Sequence, residues 1–225
     1  NKKCGSRCWR SANKRASSVS RDSASVRSSA AARPADRSMS RANTTPAIKV
    51  DAVKQRGSRV VLFGDTYDEA YTHAREIADA KGLTFVHPYD DPDVIAGQGT
   101  VGMEILHQHR GNIDAVFVPV GGGGLLAGIA AYIKYVRPEV KVIGVEPEDA
   151  ACLKAAMDKG RRVTLAEVGI FADGVAVGQI GKEPYRIIKQ TVDDVITANT
   201  DEICAAIKDV FDDTRSIAEP AGALA

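Results

Sequence analysis

Cysteine is scarce and scattered: Cys4, Cys8, Cys152 and Cys204 are the only four in 225 residues. That excludes the disulfide framework of a small secreted domain and fits a reducing compartment, the cytoplasm. Cys4 and Cys8 have no further ligands near them in sequence, so a zinc site is not built there. Aromatic residues reach only 5%. Net charge is almost absent at +1, which argues against a uniformly basic nucleic-acid binder. A long apolar run is present only once, from Ala115 to Ile133, and it does not read as a membrane span. Pro119 and four glycines interrupt it, and a strand, a glycine turn and a buried helix account for the same residues. What is there is ordinary for a soluble chain with a real core: 44% apolar and 26% charged residues. The length suits one globular domain or two small ones.

The charge balance hides a seam. Residues 1–43 hold 11 Lys/Arg against Asp22 and Asp36, and the remainder holds 19 basic against 27 acidic residues. The same segment has 11 serines and 8 alanines, and its larger apolar residues are Trp9, Val19, Val26 and Met39. Such a composition buries too little surface to offset its ordering entropy, so the expectation is disorder. Four readings fit it: a basic arm for nucleic acid, a transit peptide, a plain tail, or a stretch read in the wrong frame. The chain opens on Asn1 and reads as a fragment.

From Ile48 the pattern turns periodic. Arg59–Phe63, Leu83–Val86, Ala115–Val120, Lys141–Val145 and Val195–Thr197 read as strands. Asp68–Lys81, Gln98–His109, Leu125–Val136, Ala150–Lys159, Glu183–Thr191 and Asp201–Phe211 read as helices, the last with Thr200 as N-cap. Alternation of this kind predicts an α/β fold, a parallel twisted sheet with helices on both faces.

The sharpest feature is Val118-Pro119-Val120-Gly121-Gly122-Gly123-Gly124-Leu125. It lies where a strand ends and a helix begins. Residues without side chains let several main-chain N–H groups converge, and the helix end adds positive potential. A phosphate is the natural guest, at the carboxyl edge of a parallel strand. No Lys-Ser or Lys-Thr follows, so this is not a Walker loop. A G-x-G-x-x-G fingerprint fails too, because Leu126 or Ala127 stands where its third glycine belongs.

The glycine run after Val-Pro-Val resembles the phosphate-binding loop of fold-type II pyridoxal-phosphate enzymes, whose sheet is like that of the tryptophan synthase β chain. Thr45–Val53, Pro92–Thr100, Gly169–Val177 and Ala218–Ala223 follow in the order expected of threonine dehydratase (threonine ammonia-lyase), and Gly169–Val177 resembles the biosynthetic type. Each string alone is shared with serine racemases and serine dehydratases. The resemblance implies pyridoxal 5'-phosphate as cofactor. It implies conversion of L-threonine to 2-oxobutanoate and ammonia, in isoleucine biosynthesis, with L-serine as a second substrate. It implies a homo-oligomer, no membrane and no nucleic acid. Residue by residue, it assigns Gly121, Gly122, Gly123, Gly124 and Leu125 to the cofactor phosphate. Gly174 falls to the cofactor ring, and Glu219 is the acid of a Glu-Pro-Ser-Gly-Ala motif in which Ala221 replaces the serine. A structural cap is the alternative for Glu219.

The same resemblance leaves the catalytic residue unknown. The Schiff-base lysine belongs to a Ser-Phe-Lys-x-Arg motif, and a Gly-Asn-His-Ala loop holds the cofactor's hydroxyl; both are expected before Thr44, where residues 1–43 differ. Lys49 and Lys54 match non-catalytic lysines. The serine facing the pyridine nitrogen and the regulatory domain are expected after Ala225. The expected organisation is therefore an unrelated or misread segment, 1–43, joined to a partial catalytic domain, 44–225, inactive as it stands. A rival reading is a non-catalytic phosphate-binding module. His107-Gln108-His109 with Glu104 is expected to be a solvated helix face rather than a metal site.

Overall fold

Every ladder among the described residues is parallel, and every strand but the first carries β-branched residues. The computed structural model describes residues 38–225 except Thr44 and Thr66, so the readings of residues 1–37 lie outside the described residues. Two compact units divide what is described, residues 38–86 and residues 87–225.

In the smaller unit β1 (Ser38–Arg41) pairs with β2 (Arg59–Leu62), Ser38 opposite Arg59. Helix α1 (Ala47–Gln55) connects them and α2 (Tyr67–Lys81) follows. β1 corrects the expectation that the whole basic segment lacks structure. Its backbone groups are satisfied by a ladder, which needs no large buried side chain. A second correction concerns residues 83–86, which form no strand. Leu83 N–H instead closes the end of α2 on the Ala78 carbonyl at 2.8 Å, and the Phe85 ring meets Tyr71 edge-on.

The larger unit is built on a sheet of order β3-β4-β5, from Ala115–Pro119, Lys141–Pro147 and Asp194–Ala198. Its helices are α3 (Pro92–Gln108), α4 (Gly124–Val136), α5 (Cys152–Asp158), α6 (Lys182–Thr191), α7 (Thr200–Thr214) and α8 (Pro220–Ala223). Parallel neighbours require crossovers, and the helices supply them on both faces. Val118, Val142 and Val195 share one face and join Leu126, Ile133, Leu153, Ile180 and Ile188 in the main core. Each such fully buried aliphatic side chain is worth about 1.5–3 kcal/mol. Val145 points to the opposite face and joins Ala172, Val175, Ile203, Ala221 and Leu224 in a smaller core.

Two helix starts differ from their expected positions. α3 begins at Pro92, not Gln98, because the Asp91 carboxylate accepts from Asp93 N at 2.8 Å and Val94 N at 3.2 Å. α7 is capped by Asn199, not Thr200. Asn199 Oδ1 accepts from Glu202 N at 3.0 Å, and Glu202 Oε2 accepts from Asn199 N at 2.8 Å. A carboxylate three residues after the cap closes this box, which Thr200 could not do. α3 and α4 cross closely on glycines: a Cβ at Gly99 would lie 3.2 Å from the Gly128 carbonyl, and one at Gly102 3.3 Å from the Ile129 carbonyl.

Candidate functional site

β3 delivers the glycine run to the carboxyl edge of the sheet. Val120 N still donates to the Val145 carbonyl at 2.9 Å, and the chain then turns through Gly121–Gly123 into α4. Gly123 is the N-cap, with φ +86°. A residue with a Cβ pays about 1–2 kcal/mol there. The other three glycines are demanded by packing. A Cβ on Gly121 would lie 3.0 Å from Val175 Cα, one on Gly122 would overlap the Tyr89 ring, and one on Gly124 would lie 3.0 Å from the Tyr89 carbonyl oxygen.

These neighbours press on the Cα side of the loop and leave its amides alone. The N–H groups of Gly121, Gly122, Gly123, Gly124, Leu125 and Leu126 donate to no carbonyl or side chain among the described residues. The last three open α4, where the helix dipole is positive. Six successive unpaired donors at a largely buried helix start are the chemistry that a phosphate group satisfies. The residues present therefore fit the phosphate of the cofactor that the sequence implies.

The loop's carbonyls, by contrast, are tied down. Gly181 N donates to Gly122 O at 3.1 Å, Ala127 N to Gly123 O at 2.9 Å, and Cys152 Sγ stands 3.8 Å from Gly121 O. The segment facing the loop is fixed in turn. His87 Nδ1 accepts from Tyr89 N at 3.3 Å and from Asp90 N at 2.9 Å. The Asp90 carboxylate accepts from Lys182 N at 2.9 Å and Glu183 N at 2.8 Å, at the start of α6.

The structure brings the other expected site residues to the same edge. Gly174 lies in a short turn, Asp173–Val175, whose last residue backs onto Gly121. A Cβ on Gly174 would lie 3.2 Å from Glu219 Oε1. Glu219 precedes α8 but makes no side-chain cap bond to it, so the cap alternative fails. His107 and His109 join no group able to hold a metal among the described residues. No described helix is long and apolar enough to cross a membrane.

Tyr89, Val175, Gly181 and Glu146 were not legible as parts of this site. Glu146 carried one usable signal, a single acid closing the apolar run Val142-Ile143-Gly144-Val145. It is fully buried, and that burial pushes its carboxyl up to about 7 against the pull of its hydrogen bonds. Burial, together with the neighbouring Glu146, raises the Cys152 thiol to about 12.

A family model described as pyridoxal-phosphate dependent enzyme matches residues 39–225. The chain belongs to this family. Among its relatives, a biosynthetic L-threonine dehydratase of Burkholderia multivorans is 58% identical over 185 residues, spanning 81% of this chain and 36% of that protein. The biosynthetic chloroplastic threonine dehydratase of Arabidopsis thaliana is 59% identical over 182 residues, spanning 81% and 31%. The processed form of threonine deaminase isoform 2 from Solanum lycopersicum superposes with a TM-score of 0.78 at 49% identity. That match covers 82% of this chain and 53% of the tomato chain. The fold is thus that of fold-type II pyridoxal-phosphate enzymes, and the chain spans well under half the length of the two dehydratases.

Proposed function

We propose that residues 44–225 form part of the catalytic domain of a pyridoxal-phosphate-dependent threonine ammonia-lyase, converting L-threonine to 2-oxobutanoate and ammonia. The observation carrying this reading is the row of unpaired amides from Gly121 to Leu126, in a chain of this family whose near relatives are named threonine dehydratases. Gly121–Leu125 hold the cofactor phosphate, Gly174 lends backbone to the face beside the ring, and Glu219 sets a carboxylate next to Gly174. When bound, the cofactor supplies the electron sink for loss of the α-proton and β-hydroxyl. This chain's own residues bind and orient: the amides neutralise the phosphate, and Tyr89 and Val175 fix the loop so that little reorganisation accompanies binding. The protein works as a homo-oligomer in a reducing, cytoplasm-like compartment.

Two measurements test this. Pyridoxal phosphate added to the 225-residue chain should shift the amide resonances of Gly121–Gly124; unchanged resonances would defeat the cradle. Replacing the matching span of the Burkholderia relative with residues 44–225 should give a chimera that releases ammonia and 2-oxobutanoate from L-threonine. Turnover of L- or D-serine without L-threonine would instead favour a racemase or serine dehydratase. A serine racemase from Dictyostelium discoideum gives that second reading its basis, with a TM-score of 0.72 at 32% identity.

A further inference from the structure

Glu146 is the one charged residue with no exposure among the described residues. It stands beside the strand end that leads into the glycine loop. Pro119 pairs with Val145 in the ladder and Val120 N reaches the Val145 carbonyl, so the next residues along, Val120 and Glu146, are neighbours, and Gly121 follows Val120 directly. Three donors hold the carboxylate. Leu153 N donates to Oε1 at 2.8 Å, Lys154 N donates to Oε2 at 2.7 Å, and the Cys152 thiol hydrogen-bonds to it as well. The same thiol stands 3.8 Å from the Gly121 carbonyl. One sulfur therefore bridges the buried acid and the first residue of the loop.

Few charges share this environment. The Lys154 ammonium on α5 acts on the carboxylate only through space, in addition to that residue's main-chain bond, and the turn before the helix adds Glu148 and Asp149. β3 carries no ionisable residue, and Asp194 on β5 pairs with Ile143, three positions from Glu146. α4 carries Tyr132, Lys134 and Tyr135, and Lys134 is bound to Asp193. Asp173 and Glu219 flank the turn behind Gly121, and His87 lies beyond Tyr89. Burial dominates and already favours the protonated acid.

We infer that Glu146 takes up a proton from solvent when an anion occupies the Gly121–Gly124 loop, which links binding of the cofactor phosphate to pH. The inference rests on reading that loop as an anion cradle. A negative charge at the loop opposes the carboxylate beside it, through a medium poorer in water than the surface. By reciprocity the proton on Glu146 tightens the anion by the same factor. One proton moves, from solvent to a Glu146 oxygen. The new O–H turns toward Cys152 Sγ, and the thiol proton turns to the Gly121 carbonyl.

The test uses sulfate, a dianion throughout pH 5.5–8.5, with the 225-residue chain. Loop amide shifts report binding, and calorimetry in buffers of different ionisation enthalpy reports proton uptake. Affinity for sulfate should fall about tenfold from pH 5.5 to pH 8.5, with net proton uptake near pH 7. The fall should survive in H87Q and vanish in E146Q. Should E146Q fail to fold, the wild-type carboxyl carbon resonance of Glu146 decides: sulfate should move its titration to higher pH. Loop amides that respond to sulfate equally at all pH values, without proton uptake, would overturn the inference and leave the cradle standing. Loop amides that ignore sulfate at every pH would overturn both.

Discussion

The ring of Tyr89 occupies the space that a side chain on Gly122 would need. Glycine at 122 is therefore demanded by the protein's own packing, and its amide donates to nothing among the described residues. G122A should be destabilising by about 1–3 kcal/mol, as overpacking of a tight site usually is. Y89A should cost stability alone, yet the double variant should recover part of the G122A loss. Urea unfolding of the four proteins measures the coupling, and strict additivity would show that the two residues do not compete for the same space.

The α3–α4 crossing gives a second contrast. A Cβ at Gly128 would overlap the Ile95 carbonyl oxygen, whereas one at Gly97 meets nothing within 4 Å. G128A should cost about 1–3 kcal/mol by forcing two backbones apart. G97A, on the same pair of helices, should be neutral or stabilising by up to about 1 kcal/mol through helix propensity. Equal effects in thermal unfolding would contradict the close crossing.

Stability should depend on pH through Glu146. Its carboxyl titrates at about 7 in the folded chain against an ordinary 4.5, so between those values the folded state holds the extra proton. The stabilisation is complete below pH 4.5 and is lost as pH rises through 7, on the order of 3 kcal/mol in all. Asp193 behaves in the opposite sense: partial burial pushes its carboxyl up, but the hydrogen bonds from Lys134 and Val142 N outweigh this and hold it down. Its contribution is lost only on acidification below its ordinary 3.8, outside the Glu146 window. Urea midpoints at pH 5 and pH 8 should differ in the wild type, and the difference should shrink in E146Q.

The start of α7 offers a local test. N199A removes a capping box and should cost about 1 kcal/mol. T200A removes a residue inside the helix and should stay within about 0.5 kcal/mol of wild type. A larger loss in T200A than in N199A, read by chemical denaturation, would restore Thr200 as the cap.

Legibility followed the range of the forces involved. β3, β4, β5, α4 and α6 were readable because their apolar periodicity is local and their burial strong. Leu83–Val86 has the composition of a strand but pairs with no strand among the described residues, and pairing is a property of another part of the chain. Ser38–Arg41 is the converse: weak composition, yet a strand, because β2 supplies the ladder. The Asp91-Pro92 start of α3 and the Asn199–Glu202 box are written in the sequence as cap chemistry, which apolar periodicity does not register.

The sequence by itself determined the alternation of strand and helix, the family, and the glycine run at the end of β3, since each is carried by residues adjacent in the chain. Only the tertiary structure decided why all four glycines are needed and which acid stands near them. Tyr89, Val175, Ile180 and Glu146 reach the loop from separate stretches. Close approach between distant segments is fixed by packing and by exclusion of water, which no local pattern of residues records.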